Sequence, residues 1–388
     1  MIRIHAFWAA IAAAFLTLPV WTITVTAQIA VSANDNKAVL VNGVNTVPDN
    51  AAPDTVSIID LNAKPPKLIG EVKAPASVVG PPQSVAVARD ESFALVTGAF
   101  KVDPADAKKV APDNKLSVID LKANPPAVIQ TVEAGPGATG VSISKDGKLA
   151  LVANRNEGTV SVFTIDGKKL TAAGKVQLGD AKSGPSHVVF LPDGKRALAT
   201  RDGDHRISML TIDGSKVEDS KQFMVAGIRP YSISVSPKGD VAVLTNQGGG
   251  QGDSDIISVI DLKVNPPRIV DSISVEQIPE GVTMSADGAY VAVIMQNGSG
   301  RAPSHPNYHA HSVLKIFAIK GTKLSLAATA ETGGWGQGVV WSKDGKTLLA
   351  QSMTDKAIDV LSFDGKTLKK TGSIKVSGGA AGIRTALD

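Results

Sequence analysis

The sequence predicts an all-β fold, a seven-bladed β-propeller with four-stranded antiparallel blades, on three observations. A unit of short apolar strands and tight turns recurs about every 40 to 50 residues, which is typical of propeller blades. One phrase, VSIIDLNAKPP at 56–66, returns in close copies at 117–126 and 258–267. The chain also begins and ends part-way through a unit, so its two ends complement each other.

The unit is most complete at residues 140–165. It holds an alternating apolar strand, an Asp-Gly turn, a second strand, a polar loop and a third strand, and a fourth strand follows. The Pro-Pro phrase therefore marks the turn into an outermost fourth strand, where proline is tolerated. The first strands, innermost in the ring, are expected to start at Ser84, Gly140, His187, Ser232, Gly281, Gly338 and Gly382.

The ends of the chain predict how the ring closes. We expect the mature chain to enter at a second strand, residues 37–43, and to finish with a lone first strand at 382–388. Pairing these two segments completes the first blade and removes the exposed strand edges of an open array. The repeat thus predicts a closed ring of seven blades.

The N-terminus is typical of an export signal. Residues 1–27 combine a basic start, an apolar run and small residues before a cleavage site near Ala27, which leaves 28–388 as the propeller. An uncleaved membrane anchor is the alternative. We therefore expect a periplasmic or secreted protein with no membrane attachment after cleavage. Since the chain has no cysteine, its stability must come from a core supplied by 43% apolar residues.

Composition and missing motifs exclude several functions. The formal net charge is +4, and no basic stripe with interleaved aromatic residues appears, so we expect no nucleic-acid partner. The sequence contains no Gly-rich phosphate loop, no G-x-S-x-G nucleophile elbow and no cysteine nucleophile. We expect a monomer.

The second strands carry a recognisable motif. VLVN at 39–42, LVAN at 151–154 and VLTN at 243–246, with the S-x-D-G-K hairpins, resemble the YVTN-repeat propellers, a group that includes the lactonase-type propellers. The resemblance covers residues 31–388 and implies the seven-bladed fold. It also implies a site at the channel mouth, where lactonase-type propellers place His, Arg and Glu side chains.

The long insertions all fall on one rim of the predicted propeller. They lie in the loops between second and third strands, at 43–54, 99–114, 247–255 and 297–311. Long loops on one side of a rigid scaffold are where binding sites are commonly built. We therefore expect this rim to bind a small-molecule ligand or a periplasmic protein.

Three residues are candidates for catalysis on the same rim. His187 is large where the six equivalent residues are Ser or Gly, and Arg229 and Glu280 precede the next two innermost strands. By blade position they look like candidates for the His, Arg and Glu roles of the lactonase-type propellers, with His187 as base and Arg229 orienting a carboxylate. Two alternatives stay open: His187 plugs the channel, or Arg229 and Glu280 form an ion pair between blades.

Further residues on this rim are candidates for ligand binding because they are polar or aromatic and lie near the predicted channel mouth. They are Gln83, Tyr231, Trp335, Gln337 and His205.

The blade 6 insertion contains three histidines in a short span. His305, His309 and His311 are candidates to bind one divalent metal, and imidazole ligands suit zinc, copper or nickel. Because Pro303 and Pro306 exclude a regular helix, the spacing alone does not bring the rings together, and a polar loop is the alternative. No other cofactor is predicted.

Two functions follow from these patterns. The first is a binding propeller that holds a small ligand or a protein partner on the insertion-bearing rim. The second is a lactonase-like hydrolase or isomerase that acts through His187, Arg229 and Glu280. The sequence does not decide whether the protein is an enzyme.

Overall fold

The fold is the predicted propeller. A computed structural model describes residues 28–387, and every regular element within them is a β-strand. The predicted signal peptide, residues 1–27, lies outside the described residues. Within that described span no helix has the length and apolar character needed to cross a membrane.

The strands form seven four-stranded antiparallel sheets and one small hairpin. Blade 1 is β30-β1-β4-β5, blades 2 to 7 are each four consecutive strands from β6 to β29, and the hairpin is β2-β3. The first fifteen strands are β1 (Ile29–Asp35), β2 (Val39–Val41), β3 (Val44–Thr46), β4 (Thr55–Asp60), β5 (Lys67–Lys73), β6 (Val85–Val87), β7 (Phe93–Asp103), β8 (Asp106–Asp120), β9 (Ala127–Glu133), β10 (Ala138–Ile143), β11 (Leu149–Asn154), β12 (Thr159–Asp166), β13 (Lys169–Gln177), β14 (Pro185–Phe190) and β15 (Arg196–Arg201). The others are β16 (Arg206–Asp213), β17 (Lys216–Met224), β18 (Pro230–Val235), β19 (Val241–Asn246), β20 (Asp255–Asp261), β21 (Arg268–Val275), β22 (Pro279–Met284), β23 (Tyr290–Met295), β24 (Ser312–Lys320), β25 (Lys323–Thr332), β26 (Gly336–Trp341), β27 (Thr347–Ser352), β28 (Ala357–Phe363), β29 (Leu368–Lys375) and β30 (Gly379–Thr385).

The two ends of the chain close the ring, as predicted. Strand β30 pairs antiparallel with β1, with Ala30 opposite Thr385 and Ala33 opposite Gly382. On its other side β1 pairs with β4. The innermost strands contact one another around the axis, and β30 lies between β26 and β6. The closing blade therefore has no exposed inner edge.

The second strand of blade 1 is not the predicted segment. It is Ile29–Asp35, which is buried along its whole length, whereas the predicted segment 37–43 contributes to the hairpin β2-β3. Residues 37–43 contain the longer apolar run, AVLV against IAV in 29–35, so the sequence pattern favours the segment that does not pair. The segment 29–35 pairs because it lies directly against both β30 and β4.

Apolar clusters between adjacent blades form the core. One cluster joins blades 6 and 7 and includes Trp341 and Phe363, whose rings pack 5.8 Å apart at 67°. Threonine side chains of the second strands bond to the innermost strand of the next blade: Thr200 Oγ1 donates to the Tyr231 carbonyl at 2.6 Å, and Thr245 Oγ1 donates to the Glu280 carbonyl at 3.0 Å. These bonds fix the start of the inner strands of blades 5 and 6 relative to the preceding blade.

The insertion rim, which carries the loops from second to third strands, is more ordered than predicted. Residues 99–114 belong largely to the long hairpin β7-β8, not to an irregular loop. The tip of hairpin β2-β3 reaches the blade 6 insertion, because a Cβ at Gly43 would lie 2.3 Å from the Ala302 nitrogen. Asn307 Nδ2 in turn donates to the Gln251 carbonyl of the blade 5 insertion at 3.2 Å. The insertions of blades 1, 5 and 6 thus form one continuous belt.

Candidate ligand site at the channel mouth

Three repeated backbone positions build the channel mouth on the insertion rim. In blades 3 to 7 one residue has a positive φ, and the residue two positions later contributes its side chain from the innermost strand. The carbonyl of the positive-φ residue accepts a hydrogen bond from the backbone nitrogen of the residue that follows the second strand. The positive-φ residues are Gly137, Gly184, Arg229, Ile278 and Trp335. The inner-strand residues are Thr139, Ser186, Tyr231, Glu280 and Gln337, and the residues after the second strand are Arg155, Asp202, Gln247, Gln296 and Met353.

Glu280 is the central acidic group of the mouth. Its side chain is buried, and its Oε1 accepts hydrogen bonds from Gln247 Nε2 at 2.9 Å and Gln296 Nε2 at 2.6 Å. Burial raises the pKa of Glu280 to about 8, although the two amide donors and the charges of Arg229 and Arg155 oppose this rise. The carboxyl therefore exchanges its proton near neutral pH, as a general acid or base requires.

Two arginines and one aspartate lie beside Glu280. Arg155 forms an ion pair with Asp202 of the next blade and donates to Ser186 Oγ at 3.3 Å. Arg229 NH2 lies 4.0 Å from the same Asp202 carboxylate. Asp202 is buried, whereas the side chains of Arg155 and Arg229 are 23% and 39% exposed. Two cations thus share one anion, which leaves positive charge for an anionic ligand group.

Tyr231 completes this polar side of the mouth. The guanidinium of Arg155 lies over its ring, 5.8 Å from the centroid. Burial raises the pKa of the Tyr231 phenol well above its usual range, and the nearby carboxyl of Glu280 raises it further. The phenol therefore keeps its proton and can donate a hydrogen bond. We call Arg155, Asp202, Arg229, Tyr231 and Glu280 the polar wall.

Three buried acceptors around the mouth have no hydrogen-bond partner among the described residues. They are Glu280 Oε2, Asp202 Oδ1 and Gln337 Oε1. Since leaving a buried polar atom unpaired costs about 1 to 3 kcal/mol, such atoms are expected to meet water or a ligand. Glu280 and Gln337 occupy the same inner-strand position in adjacent blades.

The opposite side of the mouth is apolar. Ala38, Val78, Met353 and Ala381 form one buried cluster, and the partly buried Val79 and Trp335 pack against it. Ala381 takes the inner-strand position that Glu280 takes in blade 6. We call these six residues the apolar wall. The polar wall therefore runs along blades 3 to 6, and the apolar wall lies at blades 7, 1 and 2, where Gln337 of blade 7 is the polar exception at the mouth.

His187 lies in the inner ring, with only 3% of its surface exposed. Its Nδ1 accepts a hydrogen bond from the Ile233 nitrogen at 3.3 Å, and its ring packs on Gly140, where an added Cβ would lie 2.8 Å from Cδ2. Burial holds the pKa of His187 well below its usual range, and the positive charge of Arg384 lowers it further. The imidazole is neutral, as expected, but it is bound into the neighbouring blades. Its catalytic role stays a prediction.

The structure brings Arg229 and Glu280 into one electrostatic cluster, although not as a direct ion pair: the nearest carboxylate to Arg229 is that of Asp202. The sequence patterns missed Arg155, Asp202, Gln247 and Gln296. Each follows the end of a second strand, and aligning the repeats at that point gives the position.

The predicted ligand-binding residues divide into two groups. Tyr231, Gln337 and Trp335 lie at the mouth, the first in the polar wall and the last in the apolar wall. Gln83 instead crosses the axis, where its Oε1 accepts from Ser232 Oγ at 2.7 Å. His205 is exposed and its Nδ1 accepts from the Arg229 nitrogen at 3.2 Å, so it supports the backbone of Arg229.

The three histidines of the blade 6 insertion are not brought together. His305 Nδ1 accepts from the Asn307 nitrogen at 3.0 Å, and its Nε2 lies 3.2 Å from Arg301 NH1. Over residues 28–387 no group of three His, Cys, Asp or Glu side chains is placed to hold a metal ion. The arrangement of His305, His309 and His311 therefore lends the predicted metal site no support.

Comparisons with known proteins agree with this architecture. A family model described as "Lactonase, 7-bladed beta-propeller" matches residues 113–218 and 141–304. The chain is a seven-bladed propeller similar to the lactonase-type propellers. No curated protein matches the chain significantly.

Solved structures of the same fold match this propeller over nearly its whole length at low identity. The periplasmic gluconolactonase of Pseudomonas aeruginosa is 17% identical, with a TM-score of 0.68, covering 92% of this chain and 99% of that one. A provisionally assigned 6-phosphogluconolactonase of Bacteroides uniformis is 17% identical, with a TM-score of 0.68, covering 93% and 100%. A Desulfotomaculum acetoxidans protein of unknown function is 15% identical, with a TM-score of 0.69, covering 92% and 98%. At these identities the likeness concerns the fold.

Proposed function

We propose that the channel mouth binds a small hydroxy acid or its lactone, and that the protein hydrolyses the lactone. The observation that carries this proposal is Glu280, a buried carboxyl with a pKa near 8 and an unpartnered Oε2 beside two arginines among the described residues. A perturbed carboxyl next to cations in a cleft is a candidate catalytic group. The likeness to a lactonase family and to a gluconolactonase supports the same reaction class.

The polar wall can carry out the hydrolysis in two steps. Ionised Glu280 takes a proton from water while the water oxygen bonds to the lactone carbonyl carbon. Arg155 and the Tyr231 phenol donate to the resulting oxyanion. As the ring C–O bond breaks, Glu280 returns the proton to the leaving oxygen, which becomes the hydroxyl of the product. The carboxylic acid so formed loses its remaining proton to solvent, and Arg229, the more exposed cation, binds the resulting carboxylate.

The export signal predicted at residues 1–27 and the periplasmic gluconolactonase neighbour support a periplasmic location for this activity. Binding without turnover would use the same mouth, with the ligand donating to Glu280 and Gln337. The expected protein partner of the insertion rim stays a prediction.

The test is a hydrolysis assay on purified residues 28–388 with a panel of γ- and δ-lactones, followed by proton release. We expect turnover that Glu280→Gln lowers by about 100-fold or more, as for loss of a general base. This variant keeps the acceptor for Gln247 and Gln296, so the fold should persist.

His187→Asn is the matched comparison, because its amide oxygen can replace Nδ1 as the acceptor for the Ile233 nitrogen. A larger loss in His187→Asn than in Glu280→Gln would assign the base to His187 and contradict the role given to Glu280. Absence of turnover on every lactone would overturn the hydrolase proposal.

A further inference from the structure

The positive-φ position at the mouth is occupied by glycine in some blades and by other residue types in others. Blades 3 and 4 place Gly137 and Gly184 there, and blades 5, 6 and 7 place Arg229, Ile278 and Trp335, at φ 58°, 56° and 50°. Glycine adopts this conformation without steric cost, whereas a β-branched or bulky residue in it is a genuine outlier. Two apolar side chains are thus held in backbone geometry that disfavours them.

The surrounding structure holds each of these residues in place. The Arg229 nitrogen donates to His205 Nδ1 at 3.2 Å, the Ile278 nitrogen to Asp255 Oδ2 at 2.7 Å and the Trp335 nitrogen to Ser299 Oγ at 2.8 Å. Backbone strain that the surroundings impose is concentrated at binding and catalytic sites. Glycine would adopt this backbone conformation without strain. The presence of Arg229, Ile278 and Trp335 must therefore be explained by what their side chains do.

The three residues follow one another in successive blades on the insertion rim, and their side chains change from charged to aliphatic to aromatic. Arg229 supplies a cation of the polar wall, Ile278 an aliphatic surface, and Trp335 the aromatic surface of the apolar wall. All three are partly exposed. Apolar surface left accessible beside a cation favours a ligand that has a charged end and an apolar body.

We propose that Ile278 and Trp335 determine specificity, and that the ligand is a lactone or hydroxy acid with an apolar alkyl or aryl substituent. This inference rests on the proposed function, because it concerns the same mouth. The carboxyl end lies at Arg229 and Arg155, and the substituent covers Ile278 and Trp335. A polyhydroxylated sugar lactone fits less well, since its hydroxyl groups would lose water against apolar side chains without gaining partners.

The experiment compares two lactones with the same ring size, δ-decalactone and δ-gluconolactone, on purified residues 28–388. The ratio of kcat/KM for the two lactones should favour δ-decalactone by about tenfold or more, and Trp335→Gly should reduce that ratio by about tenfold. Ile278→Gly should reduce it by a smaller factor. Glycine is compatible with both positions, so these variants should fold.

Lys221→Gly is the matched control. Lys221 also has a positive φ, 64°, but it lies on the outermost strand β17 with its side chain 82% exposed. This substitution relieves the same kind of backbone strain away from the mouth and should leave the ratio unchanged. A change in the ratio in Lys221→Gly as large as in Trp335→Gly would overturn the inference.

Calorimetric binding of the matching acids, 5-hydroxydecanoate and gluconate, separates the two proposals. If no lactone is hydrolysed but 5-hydroxydecanoate binds more tightly than gluconate and Trp335→Gly removes the difference, the specificity inference stands and hydrolysis fails. A preference for δ-gluconolactone and gluconate would overturn the specificity inference. Equal losses of activity or affinity on both ligands in Trp335→Gly would overturn it as well. Turnover of either lactone would in both cases still support the hydrolase proposal. If neither acid binds and neither lactone reacts, both proposals are wrong.

Discussion

The polar and apolar walls of the mouth occupy equivalent positions of one repeated backbone. The inner-strand position holds Glu280 in blade 6 and Ala381 in blade 1, and the position after the second strand holds Gln296 in blade 6 and Met353 in blade 7. The backbone hydrogen bonds that fix these positions are the same in blades 5 to 7. The repeated backbone therefore determines where the side chains are placed. The residue that each blade has at these positions determines the chemistry of each wall.

The largest effect is expected from breaking the ion pair of the polar wall. Arg155→Met removes the main partner of Asp202, which is buried, and leaves that carboxylate with Arg229 at 4.0 Å. We expect a loss of about 3 kcal/mol in the free energy of unfolding, measured by urea denaturation, because a buried charge is left uncompensated. Ligand affinity should fall by about tenfold or more.

The double variant Arg155→Met/Asp202→Asn separates stability from binding. Removing both charges should restore most of the free energy of unfolding, since no unpaired charge remains. Ligand affinity should stay low, because the cation that meets the ligand is still absent. If the double variant recovers affinity as well, Arg155 does not contact the ligand.

Much of the fold could be predicted from the sequence, because the turns between the strands of a propeller have recognisable sequence patterns. Asp-Gly and Pro-Pro turns give the strand order, and the complementary ends give the closure. The error in blade 1 arose because residues 37–43 carry the longer apolar run, whereas pairing with β30 and β4 identifies residues 29–35 as the strand.

The candidate site was harder to predict, since it depends on which side chains meet across blades. Arg229 and Glu280 follow from their place in the repeat. The ion pair between Arg155 and Asp202 joins two blades and leaves no local pattern in the sequence. The burial that raises the pKa of Glu280 is likewise a property of the assembled mouth.

The second prediction concerns how the free energy of unfolding depends on pH, which follows from the raised pKa of Glu280. Its pKa is about 8 in the folded protein and near 4.5 when unfolded, so between these values the folded state holds the extra proton. The unfolded state therefore binds fewer protons, and the free energy of unfolding falls as pH rises from about 4.5 to 8. Glu280→Gln removes this loss and should therefore stabilise the protein at pH 8 relative to wild type.

Thermal unfolding at pH 4.5 and pH 8 measures this difference. At pH 4.5 the wild-type carboxyl is protonated in the folded state and half protonated in the unfolded state, so the two proteins should differ little. An equal stabilisation by Glu280→Gln at both pH values would show that Glu280 is not an ionisable group with a raised pKa.

The smallest effect tests the apolar wall by giving it the residue type that blade 6 has at the same position of the repeat. Met353→Gln conserves length and places in blade 7 the amide that Gln296 provides in blade 6. Met353 is only 3% exposed and packs with Val78 and Ala381, so the new amide would be buried against apolar neighbours. We expect a loss of about 1 to 2 kcal/mol in the free energy of unfolding, the usual cost of a buried polar group without partners.

The reciprocal substitution, Gln296→Met, should act on chemistry more than on stability. It removes the 2.6 Å donor to Glu280 Oε1 and so favours the protonated carboxyl. The pH at which turnover reaches half its maximum should then move upward, whereas Met353→Gln should leave it in place. If Met353→Gln costs no stability, the apolar wall holds water or polar partners, and the division of the mouth into two walls would be wrong.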